Sequence, residues 1–186
     1  MSKNDKGFTL IEVIVVAAII AILAGILVPM IFNQIDEAKI TRAKGDVKAI
    51  QSAIFAFRKD TGTWPARNIA SCNDSTQNFA TLYTGKDTDL TPTTIGPANF
   101  DTINVQHLAK QLISDNGCYN GRWKGPYIAE LPYDPWGNSY LINIGDSYTD
   151  GTPLWIMSGG PNGSFDIIKE TQSIPTTIDD IGVRIK

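Results

Sequence analysis

Few side chains in this sequence are placed to do chemistry, and the first of them is a carboxylate. Glu12 stands at the threshold of Val13 to Phe32, twenty residues without a charge. A lone carboxylate deep in lipid costs about 2.5 to 3.5 kcal/mol on insertion scales, so Glu12 requires a partner. Were the chain cut between Gly7 and Phe8, the new α-amino group would fall one helical turn from Glu12, or within reach of the Glu12 of another copy. The two charges would then cancel. Cys72 and Cys118 are the two cysteines, and the chain has a single histidine, so a Cys/His tetrahedral zinc site could not be built without carboxylate help. A disulfide is the better reading. It would be worth roughly 4 kcal/mol in the chain-entropy model and would imply an oxidising compartment. The alternative is a pair of buried thiols. A third group is rich in oxygen: Ser158-Gly159-Gly160-Pro161-Asn162-Gly163, and later Asp179-Asp180-Ile181-Gly182.

Other chemistry finds no support. There is no glycine-lysine phosphate loop, no His-Glu-x-x-His and no nucleophile elbow, so an enzyme is not expected. His107 reads as a surface or capping residue. With 16 basic and 19 acidic side chains the formal charge is −3, and removal of residues 1–7 would make it one unit more acidic. That balance argues against nucleic acid as the main partner.

The elements that must carry these residues start with the apolar run, which at helical rise is roughly 30 Å long, enough to span a bilayer. An ordinary secretory signal would need a small-residue cleavage box, for which Ala21 and Ala24 are poor, and a plain anchor would leave Glu12 unexplained. Pro29 lacks a backbone donor and its ring presses on the Gly25 carbonyl. A kink or soft stretch between Gly25 and Pro29 follows, the alternative being a proline simply tolerated in a membrane helix. Phe32, Ile35, Val47, Ile50, Ile54 and Phe57 then recur at helical spacing, with charged residues on other faces. The spacing predicts one helix from Phe8 to Asp60, stopped by Gly62 and Trp64-Pro65, with Trp64 capping the core. Residues 66–103 read as a polar surface loop. Residues 104–114 read as a short second helix that holds His107. Tyr140 to Ile144 and Pro153 to Ser158 read as strands, with turns at Gly137-Asn138 and Asp150-Gly151.

A polar leader ending in Gly7, then Phe8-Thr9-Leu10-Ile11-Glu12 and an unbroken apolar helix, resembles the class III signal of type IV pilins and type II secretion pseudopilins. Asp134-Pro135-Trp136-Gly137-Asn138-Ser139-Tyr140 is similar to the sheet entry of the major pseudopilins of type II secretion, and residues 57–65 are similar to their helix exit. Cys72, Cys118 and the long middle loop lie outside that pattern. The resemblance implies an α+β, type IV pilin-like fold: a long N-terminal helix with a small antiparallel β-sheet globular domain. The expected divisions are a leader at 1–7, a transmembrane and filament-core helix half at 8–32, an amphipathic half at 33–60 and a globular domain at 61–186.

The resemblance also implies cleavage after Gly7 by the prepilin peptidase, methylation of the new Phe8 amino terminus, and Glu12 as the assembly glutamate. In the family the region around Gly25 and Pro29 can lose helicity when subunits pack. Major pseudopilins bind calcium in a loop that looks like Ser-x-Gly-x-Asp-Gly followed by an Asp-Ile-Gly segment. Ser158, Asn162, Asp179 and Asp180 occupy comparable places, with Asp166 as a substitute because Asn162 stands where an aspartate is expected. Calcium requires six to eight oxygens; the alternative is a solvated glycine loop and a polar tail. The implied function is a structural subunit that polymerises with itself into a pseudopilus for type II protein secretion. The implied partners are minor pseudopilins, the inner-membrane assembly platform and its ATPase. The implied location is the bacterial inner membrane before assembly, with the globular domain periplasmic, and afterwards a filament in the periplasm or extending to the cell surface. Two other readings stay open: a major type IV pilin for adhesion, motility or DNA uptake, and a membrane-tethered binding or enzymatic module.

Overall fold

Helix α1, Leu10–Thr61, dominates the chain. The computed structural model describes residues 7–66, 72, 81–85, 105–144, 153–167 and 173–186. The chain divides into two compact units, Met1–Lys39 and Ile40–Lys186, and α1 contributes to both. In the first unit the apolar side chains Phe8, Ile11, Ile14, Leu23, Met30 and Phe32 are all exposed. Gly25 and Pro29 both lie inside the helix. Because proline has no N–H, the Gly25 carbonyl has no helical donor four residues on.

In the second unit, Ala43, Val47, Ile50, Ala53, Ile54, Phe57 and Thr61 are buried. Apart from the adjacent Ala53 and Ile54, they are spaced by three or four residues, and so fall on one stripe of the helix. The helix stops because Gly62, at φ 79°, takes the left-handed conformation and donates its N–H to the Arg58 carbonyl at 2.8 Å. Trp64 folds back into the core, and the Arg58 guanidinium lies 3.8 Å over its ring.

The described residues form a five-stranded sheet: β1 (Thr81–Tyr83), β2 (Val105–His107), β3 (Leu141–Asn143), β4 (Trp155–Ser158) and β5 (Ile181–Arg184), in the order β2-β1-β3-β4-β5. The pairs β1·β3, β3·β4 and β4·β5 are antiparallel. The sheet is not wholly antiparallel, however, because β2 pairs parallel to β1. The helix expected over 104–114 is therefore shortened: its first residues are β2, and helix α2 covers only Ala109–Leu112. His107 lies in β2 and is buried, neither on a helix nor at the surface. The expected turn at Asp150-Gly151, and most of residues 66–103, fall outside the described residues; where that stretch is described, at Thr81–Tyr83, the expected surface loop is instead the buried strand β1, paired on both sides.

Strand alternation gives the sheet two apolar faces. Leu82, Ile142 and Ile156, cross-strand neighbours, join Val47, Ile50, Ile54 and Phe57 in the main core. Tyr83, Leu141, Trp155 and Met157 point the other way and pack with Phe165 and Ile167, with Ile174 and Ile178 against them. The stretch that the alternative to calcium read as a solvated loop and polar tail thus supplies cover for the second face. Two polar ties cross the main core: the Tyr140 hydroxyl donates to Asp46 Oδ2 at 2.9 Å, and the Thr84 hydroxyl donates to the Pro132 carbonyl at 2.8 Å. Burial, and then the Asp46 carboxylate, push the Tyr140 phenol well above its ordinary pKa.

Candidate functional site

Two places carry the residues singled out by chemistry, one in each unit. At the amino-terminal end Gly7 and Phe8 are exposed and precede the helix. Thr9 is its N-cap. Its backbone N–H and its hydroxyl both donate to Glu12 Oε2, at 2.8 and 2.7 Å, and the Glu12 N–H points back at Thr9 Oγ1 at 3.4 Å. This is a capping box, a cap threonine answered by an acid three residues later. Thr-x-x-Glu is its sequence signal, so Thr9 was legible although the partner expected for Glu12 was an α-amino group. In a chain still continuous through Gly7, the Thr9 backbone N–H and hydroxyl supply the hydrogen bonds for Glu12.

The second place is built by three loops of the sheet unit. Asp134 is buried and fully used: its Oδ1 accepts the N–H groups of Trp136 and Asn138, at 3.0 and 2.7 Å, and its Oδ2 accepts the Ser158 hydroxyl at 2.6 Å. The same Ser158 Oγ accepts the Gly160 N–H at 3.1 Å. The turn at Asp134 to Asn138 is thereby fastened to the end of β4. The backbone then turns tightly through Gly160, at φ 63°, where an added Cβ would lie 2.2 Å from the Asp179 carbonyl oxygen, so only glycine fits. Beyond it, Asn162 donates its backbone N–H to Asp179 Oδ2 at 3.0 Å and its side-chain amide to Asp179 Oδ1 at 2.7 Å and Asp166 Oδ2 at 3.3 Å. Asp180 Oδ2 accepts the N–H groups of Asp166 and Ile167, at 2.9 and 3.0 Å, while Asp180 Oδ1 is buried and finds no hydrogen-bond partner among the described residues. Burial first, and then the Asp166 and Asp179 carboxylates, push the Asp180 carboxyl up to about 6 against the lowering effect of those two N–H groups.

Of the five residues expected around calcium, the structure gathers Asn162, Asp166, Asp179 and Asp180, but not as a cage of acceptors. Ser158 is turned to Asp134, and Asp180 Oδ2 and Asp179 Oδ2 are filled by backbone donors. The space between Asp166 Oδ2 and Asp179 Oδ1 is taken by an N–H₂ group. Among the described residues no group of three or more His, Cys, Asp or Glu side chains is placed to hold a metal ion. The arrangement does not fit a cation that needs six to eight oxygens.

Cys72 and Cys118 are joined in a disulfide, with Cα atoms 5.0 Å apart. Cys118 is in the main core, beside Tyr119, whose ring meets Phe57 edge-on at 5.0 Å. The bond ties residue 72, in the expected surface loop, to the segment following α2. Asp134 entered the sequence reading as the first residue of the run similar to a sheet entry, without a role of its own; the later serine that it holds reveals that role.

Comparison with known proteins adds to this geometry. The family model for the prokaryotic N-terminal methylation motif matches residues 2–28, and that for type II secretion system protein G matches residues 104–175. The chain is 33% identical over 138 residues to the type II secretion system core protein G of Pseudomonas aeruginosa, covering 74% of this chain and 72% of that one. It is 28% identical to the core protein G of Escherichia coli over 87% of this chain and 86% of that one. To the core protein G of Vibrio cholerae it is 28% identical, over 79% and 77%. No solved structure gives a significant match.

Proposed function

The chain belongs to the type II secretion system protein G family, the major pseudopilins, and from that premise we propose that it polymerises through its apolar helix half into the pseudopilus filament. The observation that carries this reading is the exposure of the large apolar side chains from Phe8 to Phe32. Burying a large aliphatic side chain is worth about 1.5 to 3 kcal/mol. An uncovered stretch of this length therefore belongs first in lipid and then against copies of itself.

In this reading Val13 to Phe32 hold the subunit in the inner membrane with the sheet unit in the periplasm, where the disulfide is stable. The prepilin peptidase cuts between Gly7 and Phe8 and methylates the new amine. Cleavage puts a positive charge beside Thr9 and Glu12, and Glu12 then pairs with the Phe8 amine of a neighbouring copy. Helices bundle into the filament core, and the missing hydrogen bond between Gly25 and Pro29 gives α1 a place to stretch. The chain carries no energy-coupling motif, so the membrane platform and its ATPase drive assembly, minor pseudopilins join the filament, and the growing filament moves folded cargo outward. No chemistry in this reading calls for a catalytic group or a cofactor.

The test is electron microscopy of filaments sheared from cells expressing the full chain with a working peptidase and platform, together with mass spectrometry of the subunit's amino terminus. Filaments of a chain that begins at N-methylated Phe8 are expected, appearing only with the secretion platform. Filaments raised by a pilus platform alone would move the function to a surface pilus. A monomer that still begins at Met1 would return it to a tethered module.

A further inference from the structure

The carboxy-terminal cluster is closed by an amide where its relatives' resemblance suggests a metal, and this difference holds whatever the filament is for. The orientation of the Asn162 carboxamide is fixed by its surroundings. The Ser164 N–H lies 2.6 Å from Asn162 Oδ1. A backbone N–H can only donate, so the oxygen faces Ser164 and the N–H₂ group faces Asp179 Oδ1 and Asp166 Oδ2. Two carboxylate oxygens from segments 13 residues apart thus converge on one donor group. The second Asp179 oxygen is held by the Asn162 backbone N–H, so both oxygens of Asp179 are engaged by one residue. Hydrogen bonds to charged acceptors are stronger than neutral ones.

We propose that the Asn162 carboxamide occupies the position between Asp166 and Asp179 that a divalent cation would fill, so that the turn after β4 and the segment before β5 close without metal. A cation offers charge and demands many oxygens. The amide offers two N–H vectors and demands only two acceptors, which is what this cluster supplies. An aspartate at 162 would turn the same place into three carboxylates facing one another with nothing between them, a repulsive arrangement that a cation relieves.

The test is thermal melting of the full chain in detergent micelles, in millimolar CaCl₂ and in excess EDTA, for the wild type, N162A and N162D. The wild type should melt at the same temperature in both media. N162A should melt lower by about 2 to 4 °C in both. N162D should melt lower in EDTA and regain most of the loss in CaCl₂. A wild type that melts higher in CaCl₂ than in EDTA would overturn the proposal. So would N162A melting with the wild type, or N162D showing no response to calcium.

Discussion

Asp134 and Asp180 are both buried acids, and the contrast between them shows what each does. Asp134 has a donor for every direction it faces, from Trp136, Asn138 and Ser158. Removing its carboxylate in D134A leaves a buried hydroxyl and two N–H groups without acceptors. The expected loss is about 3 kcal/mol, a fall of roughly 10 °C in melting temperature for a unit of this size. D134N, whose oxygen can still accept and whose amide can donate to Ser158 Oγ, should recover about half. Among the described residues Asp180 is satisfied on one oxygen only. With its carboxyl at about 6 in the folded chain, against about 3.9 when unfolded, the folded state binds this proton more tightly. Its stabilising contribution is therefore full below about pH 4, declines as pH rises through about 6, and is absent above. Melting temperature of the wild type minus that of D180N should accordingly rise as pH is lowered from 7 to 4.5; a difference that stays flat or falls would refute the assignment. The sequence showed both acids but not these roles. Asp134 lies 24 residues before the serine it holds, and Asp180 is 14 and 13 residues after the N–H groups it accepts, separations no local pattern encodes.

Among the elements, α1 was legible because two independent signals agree on it: an uncharged run of bilayer length, then a stripe at helical spacing that ends at Gly62. The short strands were harder. β2 is three residues, Val105–His107, just ahead of α2, and its one aliphatic residue, Val105, continues the helical pattern, so period alone merges the two. The cover of the second sheet face was missed because Phe165, Ile167, Ile174 and Ile178 are dispersed among polar residues and follow no period. The disulfide is the one covalent constraint on the expected 66–103 loop. Closing a loop with sequence separation 46 restricts the unfolded chain, an effect of about 2 to 4 kcal/mol. The C72S/C118S double variant should melt roughly 10 °C lower. Excess reductant should bring the wild type down to the same temperature and leave the variant unmoved. Equal melting of oxidised wild type and variant would show that the bond constrains nothing.

At the scale of the whole molecule, the proposed function assigns stability and assembly to different units, and Glu12 is where the two can be separated. Its carboxylate has two tasks on offer: to complete the Thr9 capping box, and to meet the amine of a processed neighbour. A glutamine at the third helical position keeps a capping box but carries no charge, so E12Q tests the charge alone, while E12A removes both and loses about 1 kcal/mol of helix-start stability as well. Neither variant touches the core of the sheet unit, whose melting temperature should stay within about 1 °C of the wild type. Both should be inserted and cleaved after Gly7, and both should give at least tenfold fewer filaments by quantitative immunoblot of the sheared fraction. D134A should show the reverse, a lowered melting temperature with an intact amino-terminal motif. If E12Q assembled like the wild type, the capping box would be the whole task of Glu12 and charge pairing between subunits would have to be abandoned. The apolar surface of residues 8–32 would then be left as the sole driver of the filament, a force without direction or register, and whatever fixes the stagger of one subunit on the next would have to be sought in the charged stretch from Asp36 to Lys48.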